Sequence, residues 1–269
     1  MKLQLFICVL ILIVTSTFGD EYFKPIDLFY PLMNFQHVTG AASIPFIAEI
    51  RRTLNEADPC IGSIIAPQFV ITTASCFDGD RGLGFNRNLI IVEVDSVNYN
   101  VSEIHAHKRY ERLSNNLTKF DIAVVQLKEP LTYSEKVKPI ELPSRIEHLD
   151  EPEWGNLTLF SQETVASVIP QYIISPIKMS IRLPVMSVEK CQKVVSSSVT
   201  RQMICAGLTD SELGMFPDAY GTPDNVKGAP LVAVGKLQGI FNTGGSGKAF
   251  VFTRISDVRE FIRWTTRGI

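Results

Sequence analysis

Long blocks of like charge, CxxC or HxxxH spacings, internal repeats and low-complexity linkers are all missing from this 269-residue sequence. Each absence removes a class of function. With 26 basic and 28 acidic residues, a formal charge of −2 and a pI near 6.1, nothing electrostatic points to nucleic acid or an anionic membrane surface. Past the N-terminus no stretch offers about 18 consecutive apolar residues, so no segment reads as a membrane span. The missing cysteine and histidine spacings leave zinc without its usual ligand pattern, and no metal or cofactor is expected.

What is present is a chain with 45% hydrophobic residues, enough to bury a sizeable core in one large domain or two small ones. It opens with Met1, Lys2 and Leu3, then the short apolar run "LFICVLILIV" and the stretch "TSTFG". One basic residue, about ten apolar ones and small Thr17 and Gly19 at minus three and minus one form a secretory signal over residues 1–19. Cleavage is expected after Gly19, releasing a secreted, extracellular product. Residues 20–36 read as an irregular leader, and residues 37–269 as the folded domain.

Secretion changes the meaning of the cysteines. Cys8 leaves with the signal, and Cys60, Cys76, Cys191 and Cys205 remain. Four cysteines in an oxidising compartment imply two disulfides, with three pairings open. Sequons at Asn100, Asn116 and Asn156 fit surface loops on the secretory route.

Past Asp20 the pattern is short apolar or alternating runs between turn residues. "FIAEI", "IGSIIA", "FVITTA", "LIIVEV", "DIAVVQL", "APLVAV", "LQGIF" and "AFVFT" are five to seven residues long and rich in Val, Ile and Phe. Such runs predict an all-β chain, an antiparallel barrel or sandwich. Only the end reads as helix: after Ser256, an N-cap candidate, Val258, Phe261, Ile262 and Thr265 share one face of "SDVREFIRWTT".

Several segments together resemble the trypsin-like (chymotrypsin-fold) serine proteases. "PFIAEI" resembles the first barrel strand, and "CIGSIIAPQFVITTASC" the family's CGGSLI…WVLTAAHC. "HKRY…FDIAVVQL" is similar to HPxY…NDIALLKL, and "VKPIELPS" to the linker between barrels. "LPVMSVEKC", "MICAG", "GAPLV" and "FVFTRISDVREFIRW" follow in the family's order, so the resemblance runs from about His37 to Trp264. It implies two packed six-stranded antiparallel β-barrels with a C-terminal helix, and the pairings Cys60–Cys76 and Cys191–Cys205.

It also implies a site whose chemistry has been removed. In the family a serine attacks a carbonyl, a histidine takes its proton and an aspartate holds the imidazole. Asp121 stands at the aspartate's place, but Ser75 replaces the histidine and Lys227 the serine. Val226 and Asn225 replace the aspartate and the oxyanion-hole glycine of GDSGGPL. Removing the serine or the histidine of such a triad costs about a million-fold in turnover. The remaining histidines, His37, His105, His107 and His148, stand at no motif that would set one beside Asp121. Activation in the family needs a basic residue before IVGG and an aspartate for the new amine; here the junction reads Gln36-His37-Val38-Thr39-Gly40, and the partner is Val226.

The pocket has changed too. Gly221 falls at the trypsin specificity aspartate, Phe250 at a pocket-wall glycine, and Asn242-Thr243-Gly244 at the substrate-binding SWG. The bridge beside that pocket would need cysteines near Pro223 and Gly247. An isolated buried Asp121 must find partners or take a proton. A polar cluster of Asp121, Ser75 and Asn242 is expected. Lys227 has two readings, turned in as an ion-pair partner or pointing into solvent.

The resemblance therefore implies a secreted, catalytically inactive homologue that acts by binding other secreted proteins: proteases, their substrates or receptors. Inactive homologues of this kind are abundant in insects, as protease-cascade cofactors or in reproductive (seminal) fluid. The melanisation branch carries an N-terminal clip module with six cysteines, for which this sequence has no room, and this favours the reproductive setting. Two alternatives are a hydrolase rebuilt on Ser75 and Lys227, and a decoy that captures substrates or inhibitors in the old cleft.

Overall fold

A computed structural model of the chain describes residues 35–37, 44–53, 59–78, 84–113, 117–144, 154–161, 177–207, 227–245 and 248–268. The signal with Cys8, the leader up to residue 34, Asn116, Gly221, Asn225 and Val226 lie outside the described residues. The described chain falls in one compact unit, Phe35–Ile269.

Strand β1 (Phe35–His37) comes first, followed by β2 (Ile47–Arg52), β3 (Cys60–Ala66), β4 (Phe69–Thr72), β5 (Ile90–Val94) and β6 (Val97–Ala106). After the short β7 (Glu111–Arg112) and β8 (Thr118–Lys119), strand β9 (Ala123–Leu127) completes a closed antiparallel barrel in the order β2-β3-β4-β9-β6-β5. The turn between β5 and β6 uses Asp95 and Ser96, both at positive φ, the two-residue geometry that matches the right-handed strand twist.

The second half repeats the architecture. Strands β10 (Trp154–Ser161), β11 (Ile177–Met186), β12 (Met203–Ala206), β13 (Pro230–Ala233), β14 (Lys236–Gly245) and β15 (Lys248–Arg254) run in the order β11-β10-β13-β14-β15-β12. Pairing of Val185 with Ala206 and Met186 with Cys205 joins β12 back to β11 and closes the ring. Upstream on that edge of β11, β1 adds a seventh strand, with Phe35 opposite Ile181. The six-stranded double barrel is the expected fold, and a closed ring abolishes the exposed edges an open sheet would carry.

Burial explains why some strands lack polar alternation. Every residue of β3 is buried, and so are four of the five in β9. One face of these strands fills the first barrel, where Ile64, Val70, Val92 and Val125 meet. The other helps form a second cluster of Ile65, Ile71, Ile122 and Val124 with Leu237, Ile240, Ile255, Val258 and Ile262. That cluster glues the two barrels together. At about 1.5–3 kcal/mol for each fully buried aliphatic side chain, this interface is a large share of the stability.

Helix α1 (Val188–Val194) is capped by the Ser187 hydroxyl, which accepts from Lys190 N at 3.1 Å. Helix α2 (Ile255–Thr265) starts one residue before the expected cap. Ser256 is buried inside the first turn and its Oγ has no partner, so it caps nothing. Arg254 takes the cap position and donates instead to the carbonyls of Arg201 (2.8 Å) and Met203 (3.1 Å), fastening the helix start to the end of the second barrel. The expected apolar face is present: Val258 and Ile262 are buried, with Phe261 packed alongside.

Both expected disulfides form, Cys60–Cys76 and Cys191–Cys205. The sequons that can be placed are not in loops. Asn100 lies within β6 and Asn156 within β10, each exposed on the outside of its barrel. Among the described residues, no helix is long and apolar enough to cross a membrane.

Candidate functional site

Strand β4 ends at Thr72, and the chain turns through a short 3-10 segment, Ala74–Cys76, all buried. The Cys60–Cys76 bond ties this turn to the start of β3. Its geometry aims the backbone N–H of Ser75 at Asp121, whose Oδ1 accepts at 2.7 Å.

Asp121 reaches that point because the residue before it is bent. Phe120 holds a φ of +49°, unusual for a bulky side chain. Stacking holds it there: the His107 ring lies 4.8 Å away and nearly parallel, and the Arg109 guanidinium lies 4.1 Å from the Phe120 centroid. His107 in turn meets the edge of Phe261 on α2 at 4.8 Å. Its Nδ1 accepts from Arg109 N at 3.1 Å, so the neutral ring carries its proton on Nε2. Burial, then the Arg109 charge, lowers the His107 pKa.

The Asp121 carboxyl is fully buried, and burial raises its pKa against the lowering effect of hydrogen bonds from Ser75, Thr118 and Ala74. Oδ2 lies 2.7 Å from Thr118 Oγ1. Thr118 Oγ1 lies 2.7 Å from Asn242 Oδ1, and Asn242 Nδ2 donates to the Thr118 carbonyl at 2.8 Å. Thr253 Oγ1 donates to the Asp121 backbone carbonyl at 3.0 Å. Asp121, Ser75 and Asn242 therefore do share one cluster, but Asn242 reaches the carboxyl only through Thr118. The Ser75 hydroxyl is close enough to depress the acid's pKa yet makes no hydrogen bond of ordinary geometry.

Thr118 was invisible as a site residue in sequence. It reads there only as the third position of the Asn116 sequon, and its one local signal is a spacing of three from Asp121.

Lys227 is half-buried and forms no ion pair with Asp121 within 4.0 Å. Its backbone carbonyl accepts from Ile61 N at 2.8 Å, which presses this segment against β3. Gly228 is required by that contact. With φ at +82°, an added Cβ would stand 2.1 Å from the Ile61 carbonyl oxygen and 2.3 Å from Thr72 Oγ1.

Beside the cluster, Tyr110 donates to Asp78 Oδ2 at 3.1 Å, and Arg112 Nε donates to Asp78 at 3.0 Å and to Tyr110 at 3.1 Å. Tyr110 is pushed well above its ordinary pKa, chiefly by burial. Phe250 is 6% exposed, its ring 5.8 Å from that of Phe241. Its Cδ1 would stand 3.1 Å from a Cβ built on Gly244, and its Cα only 2.6 Å, so only glycine fits there. The other expected pocket residue, Gly221, falls outside the described residues.

A family model described as Trypsin matches residues 34–262. The chain belongs to the trypsin family. It is 28% identical over 196 residues to ovochymase of Halocynthia roretzi, an alignment covering 68% of this chain and only 12% of that much longer protein. It is 24% identical over 217 residues to trypsin-4 of Rattus norvegicus and 26% identical over 215 residues to trypsin II-P29 of Gallus gallus. Each of those alignments covers 77% of this chain and 79% of the trypsin. For a trypsin-family chain, the hydrogen bonding around Asp121 is the chemically informative feature. Both carboxyl oxygens are engaged by groups of the fold itself, on one side by a backbone N–H and on the other by a threonine hydroxyl.

Proposed function

We propose that this chain is a secreted, non-catalytic member of the trypsin family that acts by binding other extracellular proteins. The observation that carries the reading is Asp121. In a working triad this carboxylate orients an imidazole. Here Ser75 stands at the imidazole's place, and the carboxyl is tied into Ser75 N, Thr118 and, through it, Asn242. Lys227 at the nucleophile position brings no hydroxyl, and the hydroxyl of Ser75 is buried without a base hydrogen-bonded to it. General-base activation needs that contact.

Phe250, buried against Phe241 beside Gly244, supports a filled specificity pocket. A filled pocket argues against a decoy that captures side chains there and favours binding through the outer surfaces. The partners this reading implies are secreted proteases, their substrates or receptors, in a cascade or in reproductive fluid of the insect kind. Affinity capture from the native secretion identifies which.

The direct test is a covalent serine-hydrolase probe, with peptide and ester substrates, on purified secreted protein. No labelling and no turnover are expected, including after proteolytic nicking near His37. The double revertant Ser75→His with Lys227→Ser is expected to stay inactive, because Asn225, Val226 and Phe250 remain. Labelling of the native protein that disappears in Ser75→Ala would establish a rebuilt hydrolase instead.

A further inference from the structure

Around Thr118 there is one hydroxyl proton for two short contacts. Thr118 Oγ1 lies 2.7 Å from Asp121 Oδ2 and 2.7 Å from Asn242 Oδ1, both ordinary O–H···O distances. A threonine hydroxyl donates only once, so a second proton must come from a neighbour. Asn242 does not supply it. Its NH2 group donates to the Thr118 carbonyl at 2.8 Å. Turning the amide over would set Oδ1 against that carbonyl, acceptor to acceptor. The remaining source is the carboxyl.

We infer that Asp121 carries a proton on Oδ2 and acts as a hydrogen-bond donor, pinning the two barrels together as a neutral acid. The chain of donors then runs in one direction. Asp121 Oδ2–H donates to Thr118 Oγ1, the Thr118 hydroxyl donates to Asn242 Oδ1, and Asn242 Nδ2–H returns to the Thr118 carbonyl. Oδ1 keeps the role of a carbonyl oxygen and accepts from Ser75 N. Every polar atom in the ring has its partner, and residues 124 positions apart are joined across the barrel interface.

The surroundings agree. The 3-10 turn offers the carboxyl the N–H groups of Ser75 and Ala74. Strand β8 brings Thr118 and also Lys119, which is paired with Glu111 of β7. Before β7 stands Tyr110, bonded with Asp78 and Arg112. His107 faces Phe120 and Phe261. From the second barrel come Asn242, Thr253 and Lys227, which forms no ion pair with the acid within 4.0 Å. Among the described residues no cation is bonded to it, and burial dominates and raises the pKa.

The pH consequence has a definite sign. A carboxyl with a raised folded pKa contributes fully below its unfolded value of about 3.9. Its contribution is lost as pH rises from there through the folded value, by up to about tenfold in the folding equilibrium per pH unit. This runs opposite to the ionised aspartate of a working triad. The inference concerns the charge state of Asp121 and stands or falls separately from the absence of catalysis.

Asp121→Asn is the discriminating variant, because its amide reproduces the polarity of the neutral acid: Oδ1 accepts from Ser75 N and Nδ2 donates to Thr118. In the full secreted chain, the variant is expected to unfold near neutral pH at the same or a higher denaturant concentration than the parent. Its stability is also expected to lose one proton's worth of pH dependence on the acid-to-neutral limb. A loss of more than about tenfold in the folding equilibrium near neutral pH, as removal of charge-assisted bonds would cause, overturns the inference. Infrared spectroscopy of the unmutated protein decides the matter even if the variant fails to fold. A protonated-carboxyl C=O band at neutral pH that shifts on carboxyl-13C aspartate labelling supports the neutral acid; ionised carboxylate bands for every aspartate sink it.

Discussion

Phe120 sits at a φ of +49°, a left-handed conformation that costs a non-glycine residue on the order of 1–3 kcal/mol. Its stack with His107 and Arg109 offsets that cost, and the bend it creates delivers Asp121 into the interior. At this scale Thr118 is the residue whose loss should be felt most. Thr118→Val keeps the shape but leaves Asn242 Oδ1 and Asp121 Oδ2 without their shared partner, both buried. Each unsatisfied group costs about 1–3 kcal/mol, so a combined loss of roughly 2–6 kcal/mol is expected by denaturant unfolding, with Thr118→Ser restoring most of it. Ser75 and Asp121 were legible as site residues because their motifs carry them. Thr118 was not, since its role needs Asn242 from the other barrel to become visible.

Among the elements, those that read clearly in sequence are the ones buried on at least one full face. β3 and β9 are near-continuous apolar runs because they touch both cores. β6 did not announce itself: "VNYNVSEIHA" has one fully buried residue among ten, and pairing with β5 and β9 alone makes it a strand. α2 was legible from its apolar face, yet its first residue was not, because Arg254 bonds to carbonyls of the second barrel where a cap was expected of Ser256. One contact between α2 and the first barrel, His107 against Phe261, carries a pH dependence. The folded His107 pKa is lowered, so its contribution is present above the unfolded value of about 6.5 and is lost as pH falls through the folded one. His107→Phe keeps a ring in the stack and removes the titration. The acid limb of the stability profile should flatten, while neutral-pH stability changes by about 1 kcal/mol for the lost bond from Arg109 N. Thermal unfolding across pH checks both.

For the whole molecule, the two crosslinks are local and the barrels are held to each other by packing. Cys60–Cys76 closes a loop within the first barrel, and Cys191–Cys205 fastens α1 to β12 in the second, with sequence separations of 16 and 14. Replacing Cys191 and Cys205 together by alanine is expected to cost about 3 kcal/mol on the loop-entropy argument, measured by chemical denaturation of the secreted protein. The interface cluster, built from Ile71, Ile122, Ile240, Val258 and Ile262, remains intact in that variant, so the barrels should stay docked until global unfolding.

The sequence by itself determined the all-β character and the ordered motifs whose resemblance to the family implied the double barrel and the cysteine pairing. These rest on periodicity, on turn residues and on motifs that stay in order along the chain, all of them local or collinear signals. Only the tertiary structure decided what became of Asp121. Its partners come from a 3-10 turn, from β8 and, through Thr118, from β14 across the barrel interface. Whether a buried carboxyl holds a charge or a proton depends on the donors that reach it and the water that does not. Neither can be counted until strands distant in sequence have been packed together.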